Sequence, residues 1–296
     1  MARTHSFSPA VKSLSFAATN TVVWNPAEID SAGVIAFHLL VDWTGGSTTL
    51  GTAVDASYID RIRIKANGQT VVDITGTQLR AYQERFSPKG GSDVTSASYL
   101  TIPVNSLDAK SDDDGDRCQF MPGASATVEV TTSTLPAAGV GGTPTAALRL
   151  GWSKTTVAPE FYMTLLSNQC NIATSQTNAR VPLGGPGFVQ GIGLNTAGLG
   201  RVRMILSGLE VANISGAQYN SGALATSGDL LRAISSLYDG VDDTSEITTY
   251  QYTKLAQGLE ANPATSWLEL TTGSSWGGAS NEVSLYTLVP VNPQRA

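Results

Sequence analysis

Arg61-Ile62-Arg63-Ile64-Lys65-Ala66-Asn67-Gly68-Gln69-Thr70-Val71-Val72-Asp73-Ile74-Thr75-Gly76-Thr77-Gln78 decides the architecture of the chain, because it occurs twice. Shifted by 140 residues, it aligns without a gap on residues 201–218. Seven of the eighteen positions are identical: Arg61/Arg201, Arg63/Arg203, Gly68/Gly208, Val71/Val211, Ile74/Ile214, Gly76/Gly216 and Gln78/Gln218. Chance pairing gives roughly one identity over such a length at average residue frequencies. The same shift sets Val128-Glu129-Val130-Thr131-Thr132 against Leu268-Glu269-Leu270-Thr271-Thr272, with the same alternation. Two blocks on one offset mean a duplicated unit, and duplication is read before any local detail.

Each copy has a physical reading. From Arg61 to Ala66 charged and apolar residues alternate, the period of a strand with one wet and one buried face. Asn67-Gly68 is the strongest short hairpin signal, since both residues tolerate positive φ, and Val71-Val72-Asp73-Ile74 returns as the partner strand. Ser207-Gly208 takes the turn in the second copy. Thr75 and Gln78 have capping-box spacing ahead of Leu79-Arg80-Ala81-Tyr82, and Ser215 and Gln218 repeat it, so a helix is expected after each hairpin. The second copy inserts Tyr219 to Leu230 before Leu231-Arg232-Ala233 restores the similarity, and Leu230, Leu231, Ile234, Leu237 and Tyr238 make a helical stripe capped by Ser227 or Asp229 and stopped by Gly240.

The remaining segments read as strands: Val11–Phe16, Val34–Trp43, Tyr99–Val104, Ala126–Thr132 and Ala146–Trp152 in the first half, then Phe161–Leu166, Gly187–Leu194, Thr248–Leu255, Ser266–Thr272 and Glu282–Val289. With 30 Gly and 13 Pro in 296 residues, this pattern predicts an all-β chain of two tandem jelly-roll barrels or sandwiches, each with one short helix. The boundary is expected between Gly151 and Pro159, giving units 1–155 and 156–296.

Composition removes several function classes. Charged residues make up 14% of the chain, against about 25% in an average domain. The net charge of −6 and a pI near 4.9 argue against sequence-specific nucleic-acid binding, which relies on neutralising phosphates. Met1 to Pro9 has no apolar run of the secretory kind, and the longest uncharged stretch, Val181 to Gly200, is broken by Gly and Pro. Cys118 and Cys170, the two cysteines, build neither a disulfide framework nor an unaided zinc site and point to a reducing compartment.

Catalytic motifs are missing too. His5 and His38 are the two histidines; His38 sits in the apolar run Ile35 to Val41 and reads as a structural strand residue. No Gly-Lys pair exists for a phosphate loop, and the glycines from Gly184 to Gly193 lack dinucleotide-fingerprint spacing. In Asp112-Asp113-Asp114-Gly115-Asp116 an EF-hand would place Lys110 and Met121 at its first and last ligand positions, so that motif fails. The run reads as a solvated loop, with Asp112, Asp114 and Asp116 as weak candidates for an incidental or interface Ca²⁺. No pair of carboxylates stands out for glycoside hydrolysis. Asn213-Ile214-Ser215 forms a sequon inside the repeated hairpin, where glycosylation is not expected.

Trp152 shares a face with Leu148 and Leu150 and reads as core. Trp267 shares its face with Glu269 and reads as an exposed platform or a subunit contact, the contact being preferred because aromatics are enriched at interface cores. Arg3, His5 and Lys12 precede any acid up to Glu28, which makes a small basic arm: a frayed end, or, through Arg3 and Lys12, a segment facing a membrane or a neighbouring subunit.

Taken together, Ile62 to Gln78 with Leu79 to Phe86, and Val202 to Gln218 with Leu230 to Tyr238, resemble the double jelly-roll major capsid proteins of tailless icosahedral bacteriophages with an internal membrane, the lineage of the adenovirus hexon. The resemblance implies a non-enzymatic virion protein made in the host cytoplasm, three chains forming a homotrimer whose six barrels make a pseudo-hexagonal, self-assembling capsomer. It implies minor capsid or vertex proteins as further partners, an amino-terminal arm toward the membrane, and Ca²⁺ between subunits in some members. At 296 residues the loops must be short, with Tyr219–Leu230 and Asp108–Gly123 as the exposed tops or trimer contacts. A carbohydrate- or receptor-binding β-sandwich using Trp267 or Trp276 is the second reading, and a β-sandwich glycoside hydrolase the third.

Overall fold

The computed structural model describes residues 3–14, 19–44, 59–76, 78–79, 99–104, 115–133, 145–169, 178–184, 187–195, 199–215, 250–260, 262–272 and 282–291. The chain divides into two compact units, one of Met1–Thr164 with Pro290–Ala296 and one of Leu165–Val289. The division falls after the expected Gly151 to Pro159, inside a strand that runs from Phe161 to Gln169.

The first unit contains β1 (Thr4–Leu14), β2 (Asn20–Trp24), β3 (Val34–Thr44), β4 (Ile59–Ala66), β5 (Gln69–Ile74), β6 (Tyr99–Pro103), the two-residue β7 (Cys118–Gln119), β8 (Ala126–Thr132) and β9 (Thr145–Lys154). Its two four-stranded faces run in the order β1-β9-β3-β6 and β5-β4-β8-β2. The second unit contains β10 (Phe161–Gln169), β11 (Asn178–Pro182), β12 (Phe188–Asn195), β13 (Leu199–Leu206), β14 (Leu209–Ser215), β15 (Tyr250–Glu260), β16 (Trp267–Thr272) and β17 (Glu282–Pro290). Its strands run in the orders β15-β12-β17-β10 and β11-β16-β13-β14. With β7 set aside, the eight strands of each unit follow one scheme: first, eighth, third and sixth on one face, second, seventh, fourth and fifth on the other. That is the jelly-roll order, and it occurs twice.

The 140-residue offset survives down to the register. Arg63 lies opposite Glu129 and Asp73, and Arg203 lies opposite Glu269 and Asn213. The ladder shifts between Ile64 and Lys65 in one unit and between Met204 and Ile205 in the other; a second pair of shifts falls at Ile59/Arg61 and Leu199/Arg201. Both turns take positive φ at their two central residues, 48° and 85° at Asn67-Gly68, 50° and 80° at Ser207-Gly208, as a two-residue hairpin with the right strand twist requires.

Alternation decides which side chains enter the cores. Ile62, Ile64, Val72, Ile74, Val128, Val130, Leu148 and Leu150 have no exposed surface in the first unit, and Trp24 and Phe37 join them. Phe120 meets Phe37 edge-on, with centroids 5.8 Å apart. In the second unit Val181, Leu183, Val202, Met204, Leu268, Leu270 and Tyr286 are buried. Each such side chain contributes roughly 1.5–3 kcal/mol on leaving water.

The capping box after the first hairpin forms as expected: the Gln78 N–H donates to Thr75 Oγ1 at 3.1 Å, and the Thr75 N–H donates to Gln78 Oε1 at 2.9 Å. The Leu79 N–H then bonds the Thr75 carbonyl at 3.0 Å, the first turn of a helix that buries Leu79. Its counterpart, Leu230 to Tyr238, and the insertion before it lie outside the described residues.

Candidate functional site

The outward faces of the repeated hairpins carry matched ionic ladders. In the first unit Arg61 and Arg63 both bond Asp73, the second at 3.3 Å, while Arg63 and Lys65 each reach Glu129 at 3.4 Å. In the second, Arg203 donates to Glu269 at 2.6 Å and to Glu210 at 2.7 Å, and Arg180 approaches Glu269 at 3.6 Å. Asn213 stands where Asp73 stood and donates from its amide to Glu210 at 2.9 Å. That bond, then Arg203, lowers the Glu210 carboxyl below its ordinary range, and Glu210 with Glu269 raises the Arg203 guanidinium. The carboxylates of both ladders are paired, and in the first unit the three cations Arg61, Arg63 and Lys65 outnumber the acids Asp73 and Glu129 by one; exposed pairs of this kind contribute little each.

The amino-terminal segment is a docked strand from Thr4 onward, where the sequence suggested a frayed end or a free basic arm. Tertiary pairing with β9 supplies the backbone partners that the short polar sequence did not advertise. Arg3 clamps Asp116 with two bonds of 2.8 and 3.1 Å, and the Asp116 side chain is nearly inaccessible. Lys12 pairs with Glu28 at 2.9 Å and lies 5.9 Å from the Trp24 ring centroid. Both arm cations are therefore engaged inside the unit. Both oxygens of Asp116 are engaged as well, so Ca²⁺ would have to displace Arg3. Asp112 and Asp114 lie outside the described residues, and among the described residues no group of three metal-ligating side chains gathers.

Trp267 is half-buried on β16, opposite Pro182. The Arg180 guanidinium sits 4.9 Å from its ring centroid, and its indole nitrogen is buried without an acceptor among the described residues. Trp152 is buried beside Leu148 and Leu150, as its alternation indicated. Cys118 is buried and free, burial pushes its thiol up, and Sγ points to the Val104 carbonyl. Cys170 and Trp276 fall outside the described residues.

One polar cluster was not read from the sequence. His38 of β3 contacts Thr101 of β6 through Nδ1 at 3.1 Å and Ser153 of β9 through Nε2 at 2.6 Å; His5 of β1 reaches the same Ser153 hydroxyl at 2.8 Å. The period of two puts His5 and His38 on the outward faces of their strands, but pairing them needs the strand order, in which β9 lies between β1 and β3.

Strand order, register and duplication define a class: a double jelly roll. Within it, residues 46–149 match the family described as viral coat protein P2 N-terminal domain. The fold over the whole chain is shared with the major capsid protein P2 of bacteriophage PM2, at 11% identity and a TM-score of 0.59, covering 99% of each chain. The major capsid protein of Sulfolobus turreted icosahedral virus is similar at 10% identity and a TM-score of 0.56, covering 97% of this chain and 96% of that one. The capsid protein of the virus PBCV-1 follows at 10% and 0.52, covering 98% and 93%. No curated protein sequence matches the chain.

Proposed function

We propose that the protein is the major subunit of an icosahedral virus shell, and that three copies close into a capsomer with six jelly rolls arranged pseudo-hexagonally. The observation that carries this reading is the strand-for-strand duplication across the chain, joined to the coat-protein match of residues 46–149. Two similar barrels per chain give a trimer near-sixfold symmetry, which tiles a closed lattice, and burial of interface area supplies the driving force. The function is self-association, with no reaction to catalyse. The division into an amino-terminal roll ending near residue 155 and a carboxy-terminal roll from 156 belongs to the same reading.

Trp267 is assigned to a subunit contact. Its half-buried ring supports that role, since a neighbouring copy can cover the part of the ring that this unit leaves exposed. The carbohydrate-binding alternative needs an open aromatic face, and Arg180 already covers this ring. Contact of the amino-terminal segment with an internal membrane is a finer part of the proposal; Arg3 and Lys12 would have to be shared with Asp116 and Glu28. Minor capsid or vertex proteins would bind the assembled capsomer.

The test is native mass with electron microscopy of the purified full chain. A particle of three times the 30.9 kDa chain mass, hexagonal in outline, is expected, and Trp267→Ala should shift it toward monomer while leaving the folded β signal intact. A strictly monomeric wild type at high concentration overturns the proposal.

A further inference from the structure

The geometry points to a pH-released latch: His5, Ser153, His38 and Thr101 clip the first half of β1 onto its sheet while the two rings carry no more than one positive charge between them, and a second positive charge opens the clip. The cluster joins four strands, β1 through His5, β9 through Ser153, β3 through His38 and β6 through Thr101. Ser153 is buried and its hydroxyl is the hub. A hydroxyl has one proton to donate and lone pairs to accept. With both rings neutral, it accepts from one ring N–H and donates to the bare nitrogen of the other, and every group is satisfied.

One added proton is tolerated. If His5 charges, its Nδ1–H donates to Ser153, the Ser153 O–H turns to His38 Nε2, and the His38 Nδ1–H donates to Thr101. A second proton breaks this chain, since both rings then drive a donor at Ser153 and its own O–H loses its acceptor inside a buried site. The rings are 6.3 Å apart between centroids, so two imidazolium charges also repel. Burial first, and His5 second, hold His38 below its ordinary value.

The groups facing the pair do not compensate. β1 brings Arg3, already held by Asp116. β9 brings Arg149, opposite Leu40 and Val11, and Lys154, which bonds Asp30. β6 brings Thr101, which carries no charge. Among the described residues no carboxylate pairs with either ring. Beyond the cluster β1 is interrupted between Phe7 and Val11, so the segment ahead of Ser8 can leave without unzipping the rest.

Hydrogen exchange read by mass spectrometry on the full chain, corrected for intrinsic rates, tests this at about pH 7.5 and about pH 5. Protection of Thr4–Phe7, relative to the β4–β5 hairpin, should fall by about tenfold or more in the wild type, the population change of one pKa unit. His38→Gln and His5→Gln can take up only one proton and should lose most of that fall, with the hairpin confirming that they are folded. An equal fall in wild type and both variants overturns the latch, as does a flat wild-type profile. If the variants do not fold, the wild type alone decides: loss of Thr4–Phe7 protection that tracks the His38 Cε1–H titration is expected, and loss that does not track it refutes the latch.

Discussion

Arg3 and Asp116 illustrate how burial sets the worth of a charge. The Asp116 side chain is 3% exposed and takes two bonds from Arg3, whereas Arg117 and Glu160, also paired at 2.7 Å, are about half exposed on both sides. Removing Arg3 strands a carboxylate away from water, so Arg3→Ala should lower stability by about 2 kcal/mol; removing the exposed pair with Arg117→Ala should cost about 0.5 kcal/mol or less. Urea unfolding of the two variants measures the difference, and equal midpoints would contradict the clamp. Glu28 gives a pH-dependent counterpart. The backbone N–H of Asn25, then Lys12, hold its carboxyl below the usual 4.5, so the folded state binds its proton less readily than the unfolded chain. Its contribution is complete above about pH 4.5 and is lost as the pH falls through the lowered folded value. Glu28→Gln should therefore flatten the acid side of the stability curve below that pH, and leave it unchanged if Lys12 and Asn25 make no difference.

At the scale of elements, the repeated hairpins were legible because they declare themselves locally: alternation fixes the faces, Asn67-Gly68 fixes the turn, and Thr75 with Gln78 fixes the helix start. Both turns put Gly at strongly positive φ with nothing within 4 Å of a substituted Cβ, so Gly68→Ala and Gly208→Ala should each cost about 1 kcal/mol through backbone conformation alone. Gly151 differs: a Cβ there would meet the Phe7 ring at 2.7 Å and the Ser6 carbonyl oxygen at 3.1 Å; Phe7 is 59% exposed and can swing away, so that only a shift of a few tenths of an ångström at Ser6 is left to make. Gly151→Ala should thus be milder than either turn variant in thermal unfolding, and a larger loss would mean that Phe7 is pinned. What the sequence concealed was β2 and β11, the same strand of the jelly roll in both units. Each is five residues long and lies at a sheet edge, where one side of the ladder has no strand to satisfy and Pro182 is tolerated. Short edge strands owe their conformation to the neighbour they pair with, β8 or β16, so neither composition nor period announces them. The histidine cluster was hidden for a related reason, because its members meet only across four paired strands.

For the whole molecule, the decisive property is that the acids of the outward ladders are paired while the chain as a whole is acidic. The ladders of the two hairpins pair their acids with Arg61, Arg63, Lys65 and Arg203, yet the chain keeps a net charge of −6. Copies of one acidic chain repel at long range, while the contacts that join them act at short range and are largely unscreened. Self-assembly should then respond to salt in the sense opposite to binding of a cationic partner: shielding lowers the repulsion and leaves apolar contact area intact. Raising NaCl from about 20 mM to about 200 mM, which shortens the Debye length from about 20 Å to below 10 Å, should increase light scattering by the proposed assembly and lower the concentration at which larger particles appear. Loss of scattering on adding salt would mean that opposite charges, and not buried apolar surface, hold the copies together, and would move the search for the interface from Trp267 to the charged ladders.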